Sequence, residues 1–169
     1  LKKNKIEYSV AECVPYDDEQ TIENFRKQFK SNTKLVICTH ASNVFGIKLP
    51  IERIGALCRL NGILFCVDAA QSAGTADINL SDSCIDFLCT AGHKSLYGPT
   101  GTGLLISDGE YSLSTIIEGG TGATSALLEQ TPFLPEKLES GTINTVGIIG
   151  LGEGLKFVRQ KTPAVIKAH

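Results

Sequence analysis

The sequence predicts an α/β fold in which a mixed, mainly parallel sheet carries helices on both faces. Short apolar runs typical of buried strands recur at 35–38, 63–67, 85–90 and 103–107. A segment with helical periodicity separates the first two runs, and strand, helix, strand in this spacing implies a right-handed crossover and a parallel pair. The prediction is therefore a three-layer arrangement of helix, sheet and helix, with polar residues where the strands end.

The chain before the first buried strand is predicted to form one strand and one helix. Residues 6–10 alternate apolar and polar side chains, which predicts a half-exposed strand. Asp17 or Asp18 can cap a helix over 19–30. The helix should lay one apolar stripe on the sheet, made of Ile22, Phe25 and Phe29.

The middle of the chain is predicted to form the crossover. Pro50 can open a helix at its first turn, and Asn61-Gly62 can end it. The strand that follows at once ends at Asp68. Two neighbouring strands of one parallel sheet should result.

The second half of the chain adds an antiparallel strand and a long helix. Asp108-Gly109 is predicted to form a turn that lets the strand at 103–107 pair antiparallel with its neighbour. The glycine-rich segment 118–142 is too long for an idle connection. A helix is predicted over 143–160, where glycines permit close packing and one face carries Ile148, Leu151, Leu155 and Val158.

Composition excludes several classes of protein. The 169 residues suffice for one domain, the apolar and charged fractions of 42% and 20% are ordinary, and the formal charge of −2 provides no basic field for nucleic acid. No apolar run reaches membrane-spanning length, so we expect a cytoplasmic protein without a membrane anchor. The six cysteines form no C-x-x-C pair, which argues against a metal site and a disulfide framework. The chain contains no methionine, so we expect an interior piece of a longer protein.

An acid and an amine follow two of the predicted strands. Asp68 ends the strand at 63–67, and the strand at 85–90 leads to Lys94. Lysine forms Schiff bases with aldehydes, and a carboxylate can keep a pyridine nitrogen protonated, so this pair suits pyridoxal phosphate. The alternative is a structural ion pair, buried or at the rim of a cleft.

Several motifs in order resemble the class V aminotransferases and, within them, the cysteine desulfurases. The resemblance covers nearly the whole chain but only the middle of the family's length. It implies a fold-type I pyridoxal phosphate-dependent transferase large domain. Residues 1–169 would form most of this single central domain, with the N-terminal and C-terminal parts of the parent protein absent. The motifs that carry the resemblance are Thr39-His40-Ala41-Ser42-Asn43-Val44-Phe45-Gly46, Asp68-Ala69-Ala70-Gln71-Ser72-Ala73-Gly74, Gly92-His93-Lys94, Glu118-Gly119-Gly120-Thr121-Gly122 and Glu139-Ser140-Gly141-Thr142-Ile143-Asn144.

The resemblance implies roles for three charged or titratable residues. Lys94 would be the Schiff-base residue and the base that moves the α-proton. Asp68 would hold the pyridine nitrogen. His93 would donate to the cofactor phosphate, or would simply be a turn histidine.

It also implies roles for three polar residues. Asn43 would face the cofactor's phenolic oxygen, or else bond its own backbone in a loop. Gln71 would donate to the ring oxygen, or else be a surface glutamine. Thr142 would reach the phosphate of a neighbouring subunit, or else cap a helix. For His40 we expect only a bond to a nearby main-chain group.

The implied reaction removes sulfur from L-cysteine, giving L-alanine and an enzyme persulfide for iron–sulfur or thiolation pathways. A homodimer with shared active sites and a sulfur-acceptor protein are the implied partners. The persulfide-forming cysteine and the carboxylate-binding arginine would lie beyond residue 169, and Ala91 stands where cysteine desulfurases often have serine. The alternatives are another class V enzyme, such as a selenocysteine lyase or an aminotransferase, and a non-catalytic folded fragment that binds no cofactor. We expect residues 1–169 alone to be inactive.

Overall fold

The computed structural model describes residues 6–107, 111–120, 122 and 129–168. The regular elements are α1 (Asp18–Gln28), β1 (Leu35–Thr39), α2 (Ile51–Leu60), β2 (Leu64–Asp68), β3 (Phe87–Ala91), β4 (Gly103–Ser107), a short 3₁₀ helix (Glu136–Leu138), α3 (Thr145–Lys161) and α4 (Pro163–Ala168).

The sheet is mixed and mainly parallel, as the sequence predicts. Its order is β1-β2-β3-β4, with β1, β2 and β3 parallel and β4 antiparallel to β3. Thr39 pairs with Asp68, and Asp68 pairs with Cys89. The carboxyl ends of the three parallel strands therefore lie at one edge.

One face of the sheet is covered by helices within the described residues. The core cluster joins side chains from that face with α1 and α2; its fully buried members include Phe65, Val67 and Ile54. On the opposite face Leu35, Ile37 and Leu105 remain 45%, 66% and 54% exposed. The helix layer predicted for both faces is thus present on one face of the described sheet.

The ends of the first two helices follow the predicted signals. Asp17 caps α1, because its Oδ1 accepts a hydrogen bond of 2.8 Å from the backbone N–H of Gln20. Pro50 precedes α2 and Asn61 ends it. Gly62 then takes a φ of +63°, a conformation that glycine adopts without steric cost.

The predicted strand at 6–10 is wrong. These residues form no helix or strand in the structure, and Ile6, Tyr8 and Val10 are 52%, 62% and 76% exposed. Alternation of apolar and polar residues describes a strand only when another strand supplies hydrogen bonds. None of the described strands pairs with this segment.

Antiparallel pairing of the strand at 103–107 is confirmed, although by a different connection. Its partner is β3, reached through residues 92–102. The predicted turn at Asp108-Gly109 lies outside the described residues.

The predicted apolar face of the long helix is only half right. Leu151 and Val158 are buried in α3, but the other buried positions are Gly147 and Gly154. Ile148 and Leu155 are instead 52% and 39% exposed. The helix turns its glycines inward because they let it approach the loop between β3 and β4: a Cβ added to Gly154 would stand 2.3 Å from the carbonyl oxygen of Leu96.

Within the described ranges, none of the helices combines the length and apolarity that crossing a membrane requires.

Candidate active site

The loops that follow the parallel strands start side by side. The backbone N–H of His40 donates to the carbonyl of Asp68 at 2.8 Å, and the N–H of Ala69 donates to the carbonyl of Cys89 at 2.8 Å. These bonds continue the sheet ladder one residue beyond the strands. Polar side chains carried by the loops are thereby gathered at one edge, where ligands of open α/β sheets bind.

Asp68 ends β2 on the sheet face away from α1 and α2, and its side chain is exposed. Its Oδ1 accepts a hydrogen bond of 2.8 Å from the backbone N–H of Ala70. That bond fixes the carboxylate relative to its own loop. Among the described residues, Oδ2 receives no donor and can accept one from a ligand.

Lys94 sits in a tight turn that begins directly after β3. The N–H of Tyr97 donates to the carbonyl of Lys94 at 2.9 Å, and the N–H of Gly98 donates to the carbonyl of Gly92 at 2.8 Å. Gly74 lies against this turn so closely that an added Cβ would be 2.1 Å from the carbonyl oxygen of Ser95. The loop that starts at Asp68 therefore touches the turn that carries Lys94.

A structural ion pair between Asp68 and Lys94 is not found. The salt bridges of the described residues join Arg26 to Glu23, Arg53 to Glu19 and Lys156 to Glu153. Lys94 is half-buried and makes no salt bridge in that part of the chain. Its amine is thus not held by a carboxylate of the described residues.

Asn43 lies at the turn of a small loop after β1. The loop is closed by a hydrogen bond of 2.9 Å from the N–H of Ser42 to the carbonyl of Ile47. The side chain that bonds the loop's own backbone is Ser42, whose Oγ accepts from the N–H groups of Val44 and Phe45. The alternative for Asn43 was a side-chain bond to the backbone of its own loop, and Ser42 makes that bond instead. The Asn43 amide is exposed.

The other predicted site residues differ in their surroundings. Gln71 is half-buried in the loop after β2, and His93 is exposed in the turn beside Lys94. Thr142 is exposed in the segment before α3. The helix cap is Asn144, whose Oδ1 accepts from the N–H of Gly147 at 3.0 Å, so the N-cap alternative for Thr142 is wrong.

The structure thus brings five of the six predicted residues to the loops of one sheet edge: Asn43, Asp68, Gln71, His93 and Lys94. Thr142 lies instead in the segment before α3. No hydrogen bond joins its side chain to the other five among the described residues.

The expectation for His40 is wrong. Its ring does not bond the main chain: Nδ1 lies 2.9 Å from Oγ of Ser72, and the side chain is fully buried. The sequence contains one usable signal, because a histidine stands two residues after the predicted strand at 35–38 and a serine five residues after the predicted strand at 63–67. Only the tertiary approach of the two loops shows that they meet.

The buried cysteines are poor nucleophiles. Burial raises the pKa of Cys38 and of Cys58 to about 12. Burial and the nearby Cys89 raise the pKa of Cys66 to about 11. Because the thiolate is the reactive form, these three thiols are unsuited to nucleophilic attack at neutral pH.

Two cavities of the described structure have linings that contain no predicted site residue. The first, of about 290 Å³, lies beside the Asn43 loop and is lined by Cys13, Pro15, Thr39, Ser42, Phe45, Ile47 and Leu49. The second, of about 430 Å³, is lined by Thr115, Glu118, Glu129, Gln130, Thr131, Pro132 and Lys137.

The donor and acceptor set of this edge fits pyridoxal phosphate. A pyridinium N–H needs an acceptor, which Oδ2 of Asp68 can supply, and the aldehyde needs an amine without a salt bridge, which Lys94 supplies. The exposed amide of Asn43 and the exposed ring of His93 offer donors for the phenolic and phosphate oxygens.

Comparison with known proteins identifies the family of this chain. Residues 5–169 match the family model of class V aminotransferases. Over 155 residues the chain is 35% identical to a probable cysteine desulfurase of Pyrococcus abyssi, and the match covers 88% of this chain and 38% of that protein.

Two solved structures share the fold. The apo cysteine desulfurase of Thermococcus onnurineus gives a TM-score of 0.74 at 32% identity, and the cysteine desulfurase CsdA of Escherichia coli gives 0.75 at 26%. Each match covers 87% of this chain and 38% of the other. The predicted fold class is confirmed, and the chain spans less than half the length of these relatives.

Proposed function

The chain belongs to the class V aminotransferase family, and from that premise we propose that the protein carrying it is a pyridoxal phosphate-dependent cysteine desulfurase. The proposed reaction breaks the carbon–sulfur bond of L-cysteine. The sulfur passes to a cysteine thiol of the enzyme as a persulfide, and the carbon skeleton leaves as L-alanine. The relatives named as cysteine desulfurases support this choice of substrate.

One observation carries the proposal: the loop that begins at Asp68 packs against the turn that holds Lys94. The contact between Gly74 and the carbonyl of Ser95 joins the two segments. An acid for a pyridine nitrogen and an amine for an aldehyde consequently occupy adjoining loops. Neither Asp68 nor Lys94 forms a salt bridge with another described residue.

Each residue has a part that follows from its chemistry. Pyridoxal phosphate bound at this edge would supply an electron sink for the reaction. Asp68 would accept a hydrogen bond from the pyridinium N–H and would keep that nitrogen charged. Lys94 would bind the aldehyde through its Nζ and would move the α-proton through the same nitrogen. Asn43, Gln71 and His93 hold the remaining oxygens.

The sulfur-accepting thiol is proposed to lie outside residues 1–169. Cys38, Cys58 and Cys66 have raised pKa values, and each is at least half-buried. A persulfide-forming cysteine must instead be reachable and readily ionised.

The choice of substrate has its own test. Alanine and sulfide formed from L-cysteine are quantified, and selenocysteine and a keto acid are offered in parallel. The products distinguish a cysteine desulfurase from a selenocysteine lyase or an aminotransferase of the same family.

The assignment of Lys94 has a direct test. The protein carrying this chain is incubated with pyridoxal phosphate, reduced with borohydride, digested and examined by mass spectrometry. We expect the pyridoxyl group on the peptide containing Lys94 and its loss in Lys94→Ala. Lys48→Ala, which removes an exposed lysine from the Asn43 loop, is the matched control and should keep the label. Label spread evenly over surface lysines would refute the assignment.

Domain organisation, assembly and location complete the proposal. We propose that residues 1–169 form most of the central cofactor-binding domain of a cytoplasmic homodimer, with Thr142 facing the partner's cofactor phosphate. Exposed apolar side chains near that segment support a subunit interface: Ile116, Ile117 and Phe133 are 97%, 68% and 70% exposed. A sulfur-acceptor protein for iron–sulfur cluster assembly would receive the persulfide sulfur.

A further inference from the structure

His40 is a buried polar residue at the junction of two loops of the candidate site. It is fully buried and follows the last residue of β1. Its Nδ1 lies 2.9 Å from Oγ of Ser72, which is 3% exposed. The two residues stand 32 positions apart in the chain. The bond therefore ties together segments that only the fold brings into contact.

Both ends of this bond are anchored to rigid backbone. The N–H of His40 donates to the carbonyl of Asp68 at 2.8 Å, and its carbonyl accepts from the N–H of Leu49 at 2.8 Å. The N–H of Ser72 donates to the carbonyl of Ala69 at 3.0 Å, and its carbonyl accepts from the N–H of Ala76 at 2.8 Å. A shift at either end is transmitted to the other.

The segments joined in this way carry three predicted cofactor contacts. Asn43 stands three residues after His40, and Asp68 and Gln71 stand four and one before Ser72. One hydrogen bond between side chains thus spans the base of the loop that offers the amide and the loop that offers the carboxylate.

The second ring nitrogen of His40 indicates that packing is not the reason for a histidine at this position. Its Nε2 is buried and has no hydrogen-bond partner among the described residues. Burying an unpaired polar atom is unfavourable, so an apolar side chain would fill this site with less penalty. Packing alone consequently does not explain an imidazole here, whereas the bond to Ser72 does.

We propose that His40 is a positioning residue which, through Ser72, holds the Asp68–Gln71 loop in register with the Asn43 loop so that both address one cofactor ring. This role rests on the proposed function, but the loop-to-loop bond itself does not. His40 touches neither substrate nor cofactor in this scheme; it acts through Asp68, Gln71 and Asn43.

The imidazole performs this role as a neutral ring. Burial lowers the pKa of His40, the charge of Lys48 lowers it further, and Glu52 acts in the opposite direction. A neutral ring has one donor and one acceptor nitrogen, so Nδ1 can bond the hydroxyl of Ser72 in either tautomer. Transfer of a reaction proton is left to Lys94.

The first test follows the loops in the absence of cofactor. Ser72→Ala removes the hydroxyl and adds no volume, and Ser83→Ala is its control, since Ser83 is also a buried serine, 2% exposed, but lies before the amino end of β3. Amide hydrogen exchange of segments 41–46 and 68–73 is measured in both. We expect Ser72→Ala to speed exchange about fivefold in both segments, the change that loss of one neutral hydrogen bond allows. Unchanged exchange in both segments would overturn the proposal.

The second test measures cofactor binding in the same protein. The dissociation constant of pyridoxal phosphate should rise about fivefold to tenfold in Ser72→Ala and in His40→Leu, and should stay within about twofold of wild type in Ser83→Ala. His40→Asn, which places an amide atom at the position of Nδ1, should recover most of the affinity. The absorbance band of the bound cofactor should shift in the two weakened variants, because the acid beside its ring is displaced.

Combining the substitutions separates positioning from general damage. If His40 acts through Ser72, Ser72→Ala in the His40→Leu background should add less than about twofold to the dissociation constant. Additive effects would refute the coupling. The proposed function fails separately, if wild-type protein takes no borohydride label at Lys94. The hydrogen-exchange measurement tests the bond between the two loops, and its outcome does not depend on whether Lys94 is labelled.

Discussion

His40 is the residue at which burial and chemistry oppose each other. Its ring is fully buried, and burial lowers its pKa from the ordinary value of 6.5. In the unfolded chain the same ring takes up a proton once the pH falls below 6.5. The native state binds that proton only at lower pH. The neutral ring therefore contributes stability above pH 6.5, and the contribution is lost as the pH falls toward the folded-state pKa.

This sign gives a measurable pH dependence. Between the unfolded-state and folded-state pKa values, each pH unit should remove about 1.4 kcal/mol of unfolding free energy through this one proton. His40→Asn lacks the group, so its deficit relative to wild type should shrink as the pH is lowered from 7.5 to 5.5. Urea unfolding at several pH values measures the difference. A deficit that is constant over this interval would show that His40 does not titrate on unfolding.

The position of a single residue could be predicted from the sequence where that position depends only on the strand that carries the residue. Asp68 ends β2 and Lys94 follows β3, so their arrival at one edge could be predicted from the order of the strands. The His40–Ser72 bond could not, because it depends on how two loops pack on each other. The roles of the predicted site residues in catalysis stay predictions.

Among the elements, α3 depends on its glycines. A Cβ at Gly154 would stand 2.3 Å from the carbonyl oxygen of Leu96 and 2.7 Å from the carbonyl carbon of Tyr97. These are backbone atoms of the turn that carries Lys94, and they cannot rotate away. Replacing Gly154 must therefore push α3 and this turn apart.

Gly154→Ala should destabilise the protein by about 1–3 kcal/mol, the usual cost of overpacking. The displaced turn should also lower the borohydride-dependent labelling of Lys94. Gly152 offers the matched control, because nothing lies within 4 Å of its added Cβ. Gly152→Ala should stabilise α3 by up to about 1 kcal/mol through helix propensity and leave labelling unchanged. Equal stability changes in the two variants, measured by thermal unfolding, would contradict the close packing described for Gly154.

The elements also show what a hydrophobic pattern omits. The apolar residues of α3 predict a face through Ile148 and Leu155, yet the helix packs through Gly147 and Gly154. A periodicity that counts apolar side chains gives no weight to glycine, although glycine allows the closest approach. The alternation at residues 6–10 misleads for another reason, since strand patterning does not supply a pairing partner.

At the scale of the whole molecule, burial is uneven. Fully buried residues concentrate where β1, β2 and β3 meet α1 and α2, and they include Phe65, Ile54 and Val67. The fold class could be predicted from the order of apolar runs and helices. The exposure of the outer sheet face, seen at Ile37, could not, because strand sequences that are apolar on both sides indicate burial on both sides.

Uneven burial predicts uneven local stability. Opening β2 exposes Phe65 and Val67 and breaks its pairing with β1 and β3, so its amides should exchange only through global unfolding. Residues 112–118 carry no helix or strand, and most of them are exposed. Native-state hydrogen exchange should accordingly find β2 amides protected by the full unfolding free energy and those of 112–118 close to unprotected. Destabilising the core with Ile54→Val, by about 1 kcal/mol, should then speed exchange in β2 by about fivefold and leave 112–118 unchanged. Equal acceleration in both segments would mean that the chain opens as one cooperative unit, and that the acid-bearing strand is no more stable than its least ordered connection.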